Sequence, residues 1–496
     1  MEDRIVSMER LFAPRSILFI GASNSLRKWG GLVFRNLLDG GYKGEIYPVN
    51  PREESVQGRK AYSSVADVPG PVDMAVFAIP AAAIPDAISE CAELGVKAGV
   101  VVTAGFAELG DHGQALQEEM VRRAREAGMI LVGPNGQGIS VPSRDLHPWF
   151  PRFRPKPGCI GIASQSGNLS TILSAQLAEF GLGCSKVISA GNCADLTWCD
   201  YLEYFRRDPE TKVILLHLEG TGDGRGFLRF ARGTAMEKPI VVLKTGRTHA
   251  GIRAARSHTG VLAGSDELFD HMCRQAGLVR ADGTDDAVLA AAALLTTPLP
   301  AGRRVGIITG GGGLGVMAAD ACARLGLDVV QFSGPLIERL RPHLPPWWSP
   351  NNPVDLVGGL GYAGPADLVP ILMESDEVDG VIVIGVGWIY PIIDGVDGPL
   401  DLTDPKNAAS KRRVEETVRD CGLFAAHARR WNKPLILTSP VARSVLRRKY
   451  DGLLDLLKQG VMLYPTVEDA ARAFWVLAYR HDFLRKMKGQ GIHPGS

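Results

Sequence analysis

The chain lacks an excess of either charge, a long apolar run and paired cysteines. Its 55 Lys and Arg balance 54 Asp and Glu, leaving a net charge of +1. Nucleic-acid binders usually carry a basic excess, so the balance argues against that class. No run of 18 apolar residues occurs, so no membrane span is expected. Residues 1–10 are charged and hold no apolar core of signal-peptide length. The eight cysteines form no CxxC pair, which argues against a zinc ribbon or redox motif. Reduced thiols in a cytoplasmic protein are expected. HxxxH and HExxH spacings are missing, so no metal site is expected. There is no GxxxxGK[ST] loop, and Ser164–Asn168 does not match the GxSxG hydrolase elbow. Aromatics are only 7%.

Glycine is plentiful, at 58 of 496 residues, against a usual share of roughly 7%. With no low-complexity tract, that suggests many tight β-to-α turns. Hydrophobic residues make up 45%, so a core can form in each of about three domains.

Strand-like Ser16–Ile20 ends at Gly21, and a helical pattern follows to Gly40-Gly41. Strands then fit 45–49, 74–79, 99–103 and 129–132, with helices over 84–94 and 115–127. This alternation predicts βαβ units around a parallel sheet. The proline cluster 148–157 breaks it and reads as a linker. A second cycle opens with 160–163 and turns at Ser164–Gly167, with further strands at 213–218 and 239–243. Ala287–Leu295 fits a buried helix. After a linker at 299–302, a third cycle opens with 304–309, turns at Gly310–Gly313 and continues at 380–385 and 434–438. The basic end from Arg480 reads as a frayed tail. In the third part, Trp347, Trp348, Trp388 and Tyr390 are read as core or interface rather than substrate wall.

In an open parallel sheet, ligands bind at the carboxyl ends of the strands. Gly21, Asn50, Pro80, Thr103 and Asn135 all fall at such ends and should converge on one edge. Gly21 by itself suits an ordinary tight turn equally well. Asn50 stands where an NAD-binding fold places an acid, which favours a phosphorylated adenosine over NAD. Ser257-His258-Thr259-Gly260 puts a histidine in a segment of small residues. Such an imidazole can attack and carry a phosphoryl group, or simply be a hydrogen-bonded loop histidine. Glu219, ending a strand, could stabilise its cation or be a surface carboxylate. Ser164–Asn168 opens a helix whose N–H groups suit phosphate.

Together these motifs resemble the CoA-binding and ligase half of nucleoside-diphosphate-forming acyl-CoA synthetases, relatives of the succinyl-CoA synthetase α subunit. The quoted marks are Gly21-Ala-Ser, Pro48-Val-Asn-Pro51, Thr103-Ala-Gly-Phe-Ala-Glu108, Gly133-Pro-Asn135, Ser164-Gln-Ser-Gly167, Gly191-Asn192, Leu218-Glu-Gly220, Ser257-His-Thr-Gly260 and Asn352-Pro-Val-Asp355. The resemblance implies an α/β chain: a Rossmann-like CoA-binding domain (1–147) followed by two flavodoxin-like, succinyl-CoA-ligase-type domains with parallel sheets, the first carrying the phosphohistidine loop (155–298) and the second spanning 303–478. Residues 479–496 form the tail.

It implies His258 as phosphocarrier and Glu219 as its stabiliser. Gly21, Ser23, Lys28, Asn50, Pro51, Pro80, Thr103, Glu108 and Asn135 would line the CoA site. Ser166, Gly167 and Asn168 would receive phosphate. No metal ligand is implied in this chain. With no nucleotide domain of its own, the chain would leave ATP, ADP and Mg2+ to an ATP-grasp β-type partner, in a hetero-oligomer acting on a small carboxylate. The alternatives are a CoA-binding scaffold, or a CoA-ligase module of a larger lyase-type assembly. Two departures stand out: Gly136-Gln137 replaces the family's Cys-Leu, and Ala190 replaces a glycine.

Overall fold

The computed structural model describes residues 2–253, 265–356, 362–388 and 408–491. The chain forms two compact units. The first runs to residue 287, apart from the short piece 179–181, and the second begins at 288.

The described residues of the first unit hold two main sheets and a two-stranded antiparallel ribbon, Ser55–Val56 with Arg59–Lys60. Sheet one comprises β1 (Ser16–Ile20), β2 (Glu45–Val49), β3 (Met74–Phe77), β4 (Ala98–Val101) and β5 (Ile130–Val132), in the order β2-β1-β3-β4-β5. All its pairings are parallel. Parallel strands are covered on both faces, so their residues are continuously apolar. β1, SILFI, is buried at every position. α1 (Glu2–Phe12), α2 (Trp29–Gly40), α3 (Ile84–Glu93) and α4 (Asp111–Glu126) accompany this sheet.

Sheet two comprises β6 (Gly138–Ser140), β7 (Pro157–Ser164), β8 (Cys184–Ser189), β9 (Val213–Leu218), β10 (Ile240–Lys244) and β11 (Val279–Ala281). Its order is β11-β10-β9-β7-β8-β6, with only β6 antiparallel to its neighbour. Its helices are α5 (Gly167–Glu179), α6 (Trp198–Arg207), α7 (Gly224–Glu237) and α8 (Asp266–Ala276). Ser265 caps α8, its side chain accepting from Leu268 N; Phe269 and Cys273 are buried, whereas Leu268 is exposed. α9 (Thr284–Thr296) buries Ala287–Ala293. Expected and observed boundaries differ by a few residues at most strands, because hydrophobic periodicity does not mark where ladder hydrogen bonds stop.

The expected linker at 148–157 is packed rather than loose. Trp149 is fully buried, and the Asn36 amide donates to the carbonyls of Trp149, Phe150 and Pro151 at 2.9–3.1 Å. Proline denies this strap a ladder, and α2 supplies its hydrogen bonds instead. Arg4 reaches from α1 to Asp200 at 2.9 Å and Asp195 at 3.2 Å, tying the two sheets into one unit.

The second unit has one sheet: β12 (Arg304–Thr309), β13 (Asp328–Val329), β14 (Val354–Asp355), β15 (Gly380–Ile384), β16 (Leu435–Thr438) and β17 (Leu463–Tyr464). The order is β13-β12-β15-β16-β17, with β14 also paired to β12. Trp348 is core, but Trp347 and Trp388 are exposed; Tyr390 lies outside the described residues. The expected tail from residue 479 is instead the end of α10 (Val467–Gly489), where Arg480, Phe483 and Met487 are buried. The basic residues Arg485 and Lys488 occupy its exposed face, so charge density misled the reading. Among the described residues, no helix is long and apolar enough to cross a membrane.

Phe483→Ala should therefore cost about 3–5 kcal/mol, as for a buried aromatic, not the near-zero cost of a tail residue. Urea unfolding of the whole chain measures it, and an unchanged midpoint would restore the tail.

Candidate active site

Each main sheet of the first unit has a switch point, where the chain leaves one central strand to either side. In sheet one it lies between β1 and β3. Gly21 follows β1 with φ of +90°, and a Cβ there would stand 2.4 Å from Ala78 O. Only glycine fits this approach. Asn50 ties the edge together: its amide donates to Ala22 O at 2.8 Å and its Oδ1 accepts from Arg52 N at 2.9 Å. Ser23 Oγ accepts from Ser25 N at 3.1 Å. Lys28, Pro51 and Pro80 are exposed, and Lys28 stands at the N-cap of α2 beside exposed Arg27. Cations beside a helix N-terminus suit a phosphorylated ligand such as CoA.

Thr103, Glu108 and Asn135 take part in a hydrogen-bonded lattice. Thr103 Oγ1 donates to Ile79 O at 2.8 Å, and Asn135 N donates to Thr103 O at 2.9 Å. Glu108 Oε1 accepts from Gly105 N at 2.6 Å and Phe106 N at 3.2 Å, while Oε2 accepts from Asn192 Nδ2 at 2.7 Å. Asn135 Nδ2 donates to Asn192 Oδ1 at 3.2 Å. Burial opposes ionisation of Glu108, but these donors outweigh it and hold the carboxyl below its ordinary range. Both oxygens are engaged, so Glu108 braces the edge rather than acting as a base.

In sheet two the switch point lies between β7 and β9, and there Ser164-Gln165-Ser166 meets Leu218-Glu219-Gly220. Gln165 Oε1 accepts from Glu219 N at 2.5 Å and Gly220 N at 3.3 Å. Glu219 is buried. Ser166 Oγ accepts from Leu169 N at 3.4 Å and so caps α5, whose first residues are Gly167 and exposed Asn168. Gln137, one of the sequence departures, packs on this turn. Its amide donates to Asn168 Oδ1 at 2.8 Å and its Oε1 accepts from Thr171 Oγ1 at 3.2 Å. A Cβ at residue 167 would stand 2.3 Å from Gln137 Cγ, so glycine is needed there.

Beneath this edge, His217 on β9 is fully buried. Its Nδ1 lies 3.0 Å from Ser164 Oγ and its Nε2 lies 3.2 Å from Thr245 Oγ1. Burial pushes the imidazole down to about 4. Buried Lys244 donates to Thr245 O at 3.1 Å and Gly246 O at 3.4 Å, at the root of the segment that leads to residue 258. Burial lowers its amine below the ordinary lysine value. Beside Glu219, burial raises the Cys193 thiol to about 12. A cavity of about 450 Å3 adjoins, lined in part by Gln165, Asn192, Cys193, Trp198, Gly220 and Phe230. His258 lies outside the described residues. Among the described residues, no group of three His, Cys, Asp or Glu side chains is arranged for a metal.

Gln165, His217, Gln137 and Asn192 were not among the expected site residues. His217 carried a signal: a single ionisable side chain in the otherwise apolar strand Val213–Leu218. Gln137 carried another, as a polar departure from the family motif.

Two crevices at strand carboxyl ends, one beside a helix start suited to phosphate and tied to the backbone of a buried acid, define the architecture that the comparisons identify as a CoA-dependent ligase. The CoA binding domain matches residues 15–142, the succinyl-CoA ligase like flavodoxin domain 157–294 and the Ligase-CoA domain 305–393. The α subunit of acetate–CoA ligase [ADP-forming] II from Pyrococcus furiosus is 40% identical, over 95% of this chain and 97% of that one. The acetate–CoA ligase [ADP-forming] of Methanocaldococcus jannaschii is 37% identical over 72% of this chain, which spans 50% of that longer protein. A solved structure of a Candidatus Korarchaeum cryptofilum dinucleotide forming acetyl-coenzyme A synthetase, in complex with phosphate and ADP, is 33% identical. It superposes with a TM-score of 0.79, over 97% of this chain and 98% of that one. The chain belongs to the ADP-forming acyl-CoA ligases, as an α-type chain of these acid–thiol ligases.

His217 makes stability fall with acid. The unfolded imidazole titrates near 6.5 and the folded one near 4, so its contribution is complete above about 6.5 and lost as pH falls through that window. At pH 5 the loss is about 2 kcal/mol. Urea unfolding at pH 7.5 and 5.0 should show His217→Asn losing about that much less than the unaltered chain. An equal loss in both would mean that His217 is not buried in its neutral form.

Proposed function

We propose that this chain is the acyl-transferring α-type subunit of an ADP-forming acyl-CoA synthetase, with His258 as phosphocarrier and Glu219 as its partner. The observation that carries the reading is the Gln165 bond to Glu219 N, which ties the backbone of the buried Glu219 to the turn that starts α5. His258 forms a P–N bond as the P–O bond to ADP breaks. A carboxylate oxygen then attacks phosphorus, which frees the imidazole and gives an acyl phosphate. The CoA sulfur attacks the acyl carbon, and inorganic phosphate leaves. Glu219 favours the imidazolium form that phosphorylation creates. The N–H groups at Ser166, Gly167 and Asn168 receive the phosphoryl oxygens.

Residues 1–147 are assigned CoA, with Gly21, Ser23, Lys28, Asn50, Pro51, Pro80, Thr103, Glu108 and Asn135 at or bracing its crevice. The phosphohistidine segment lies in 155–298, and 303–478 is a second ligase-type part. ATP, ADP and Mg2+ are assigned to an ATP-grasp partner chain in a cytoplasmic hetero-oligomer. The α-subunit relative matched along almost its whole length supports that division of labour. Acetate, named for the relatives, is the first carboxylate to test.

The chain with its ATP-grasp partner should take acid-labile, base-stable label from γ-labelled ATP. His258→Ala should take none, and Glu219→Gln should label at least about tenfold more slowly. Equal labelling of His258→Ala would overturn the assignment.

A further inference from the structure

We infer that His217 is a positioning residue for phosphoryl transfer, a neutral buried bridge that holds the phosphate-receiving turn and the root of the His258 segment in register with Glu219. The inference rests on the reading of His258 and Glu219 given above.

The geometry carries it. His217 stands two residues before Glu219 on β9, between β7 and β10. On one side, Nδ1 meets Ser164 Oγ at 3.0 Å, at the last residue of β7. On the other, Nε2 meets Thr245 Oγ1 at 3.2 Å, just past β10. The backbone repeats the same stitch: Gln165 N donates to His217 O at 3.2 Å, and Thr245 N donates to Leu218 O at 3.0 Å. Ser164 Oγ also lies 2.7 Å from Ser166 O. Ser166 N also approaches Nδ1, at 3.5 Å, so the ring meets the turn that starts α5 at both Ser164 and Ser166. One imidazole thus links the turn that starts α5, the strand that ends in Glu219 and the segment that leads to His258.

An apolar residue would fill this position in a parallel sheet without polar partners. Leucine here would instead strand the Thr245 hydroxyl and one bond of Ser164. The three loops would keep their chain paths but lose their fixed mutual placement. A displacement of about 1 Å at reacting groups can cost on the order of a hundredfold in rate.

The test uses the chain with its ATP-grasp partner and two readouts. One is steady-state acetyl-CoA formation. The other is label taken up from acetyl-CoA and [32P]orthophosphate, in which acetyl phosphate forms with release of CoA and then phosphorylates the enzyme with release of acetate. His217→Leu should lower kcat and the labelling rate by between about tenfold and a hundredfold. KM for CoA should stay within about twofold, because the CoA crevice belongs to the other sheet. His217→Asn, whose amide can reproduce the Nδ1 bond, should recover most of the rate. Thr245→Val, a near-isosteric change, should fall between them, and it decides the matter if His217→Leu does not fold. Full kcat in His217→Leu or Thr245→Val, or a rise in KM for CoA that accounts for the loss, would overturn the proposal. His258→Ala separates the two readings: if it still labels, the phosphocarrier assignment has failed; if it does not, an unaffected His217 variant refutes this inference alone.

Discussion

The site depends on one amide carbonyl. Gln165 Oε1 takes the N–H groups of both Glu219 and Gly220, at 2.5 and 3.3 Å, just where β9 ends and ladder pairing stops. Without it two buried donors would lack this acceptor, at a cost of about 1–3 kcal/mol each. With it, the backbone that carries Glu219 is fixed to the turn that starts α5. The backbone of a buried acid and a helix N-terminus are thereby held together. An acid suits an imidazolium and a helix start suits phosphate oxygens, which is the pair the proposed phosphohistidine needs.

The same topological rule places every edge discussed. In each of the three main sheets the chain runs from a central strand first to one side and then to the other. The opening that results lies between β1 and β3, between β7 and β9, and between β12 and β15. Gly21, Gln165 and Gly310 each follow the first strand of these pairs. In the first unit two such openings are lined by different side chains. Exposed cations flank the α2 start at the first, and a buried acid, a buried imidazole and a buried lysine stand at the second.

Much of this was legible in the sequence. Strands β1, β7, β9 and β12 are apolar runs stopped by glycine or polar turns, so periodicity and turn chemistry agree there. The edge residues followed from the rule that ligands sit at strand carboxyl ends. What periodicity could not give was the partner of each polar side chain. Glu108 and Asn135 are on the expected edge, but their bond to Asn192 joins residues 57 and more apart in the chain. Gln165 and His217 lie in turn and strand positions where the local pattern says nothing of a neighbour 52 to 55 residues away. The proline strap and the end of α10 were misread for a related reason. Composition reports charge and ring content, whereas packing depends on the face a residue presents, and Arg480 and Trp149 both face inward.

The central claim is the proposal that His258 carries phosphate with Glu219 as its partner. Mass spectrometry at neutral pH, on tryptic digests of the chain after turnover with its partner, tests it most directly. The account predicts a phosphoramidate on the peptide 257–274, with fragment ions assigning it to His258 rather than to His271. Phosphate on His271, on another peptide or on none would contradict it.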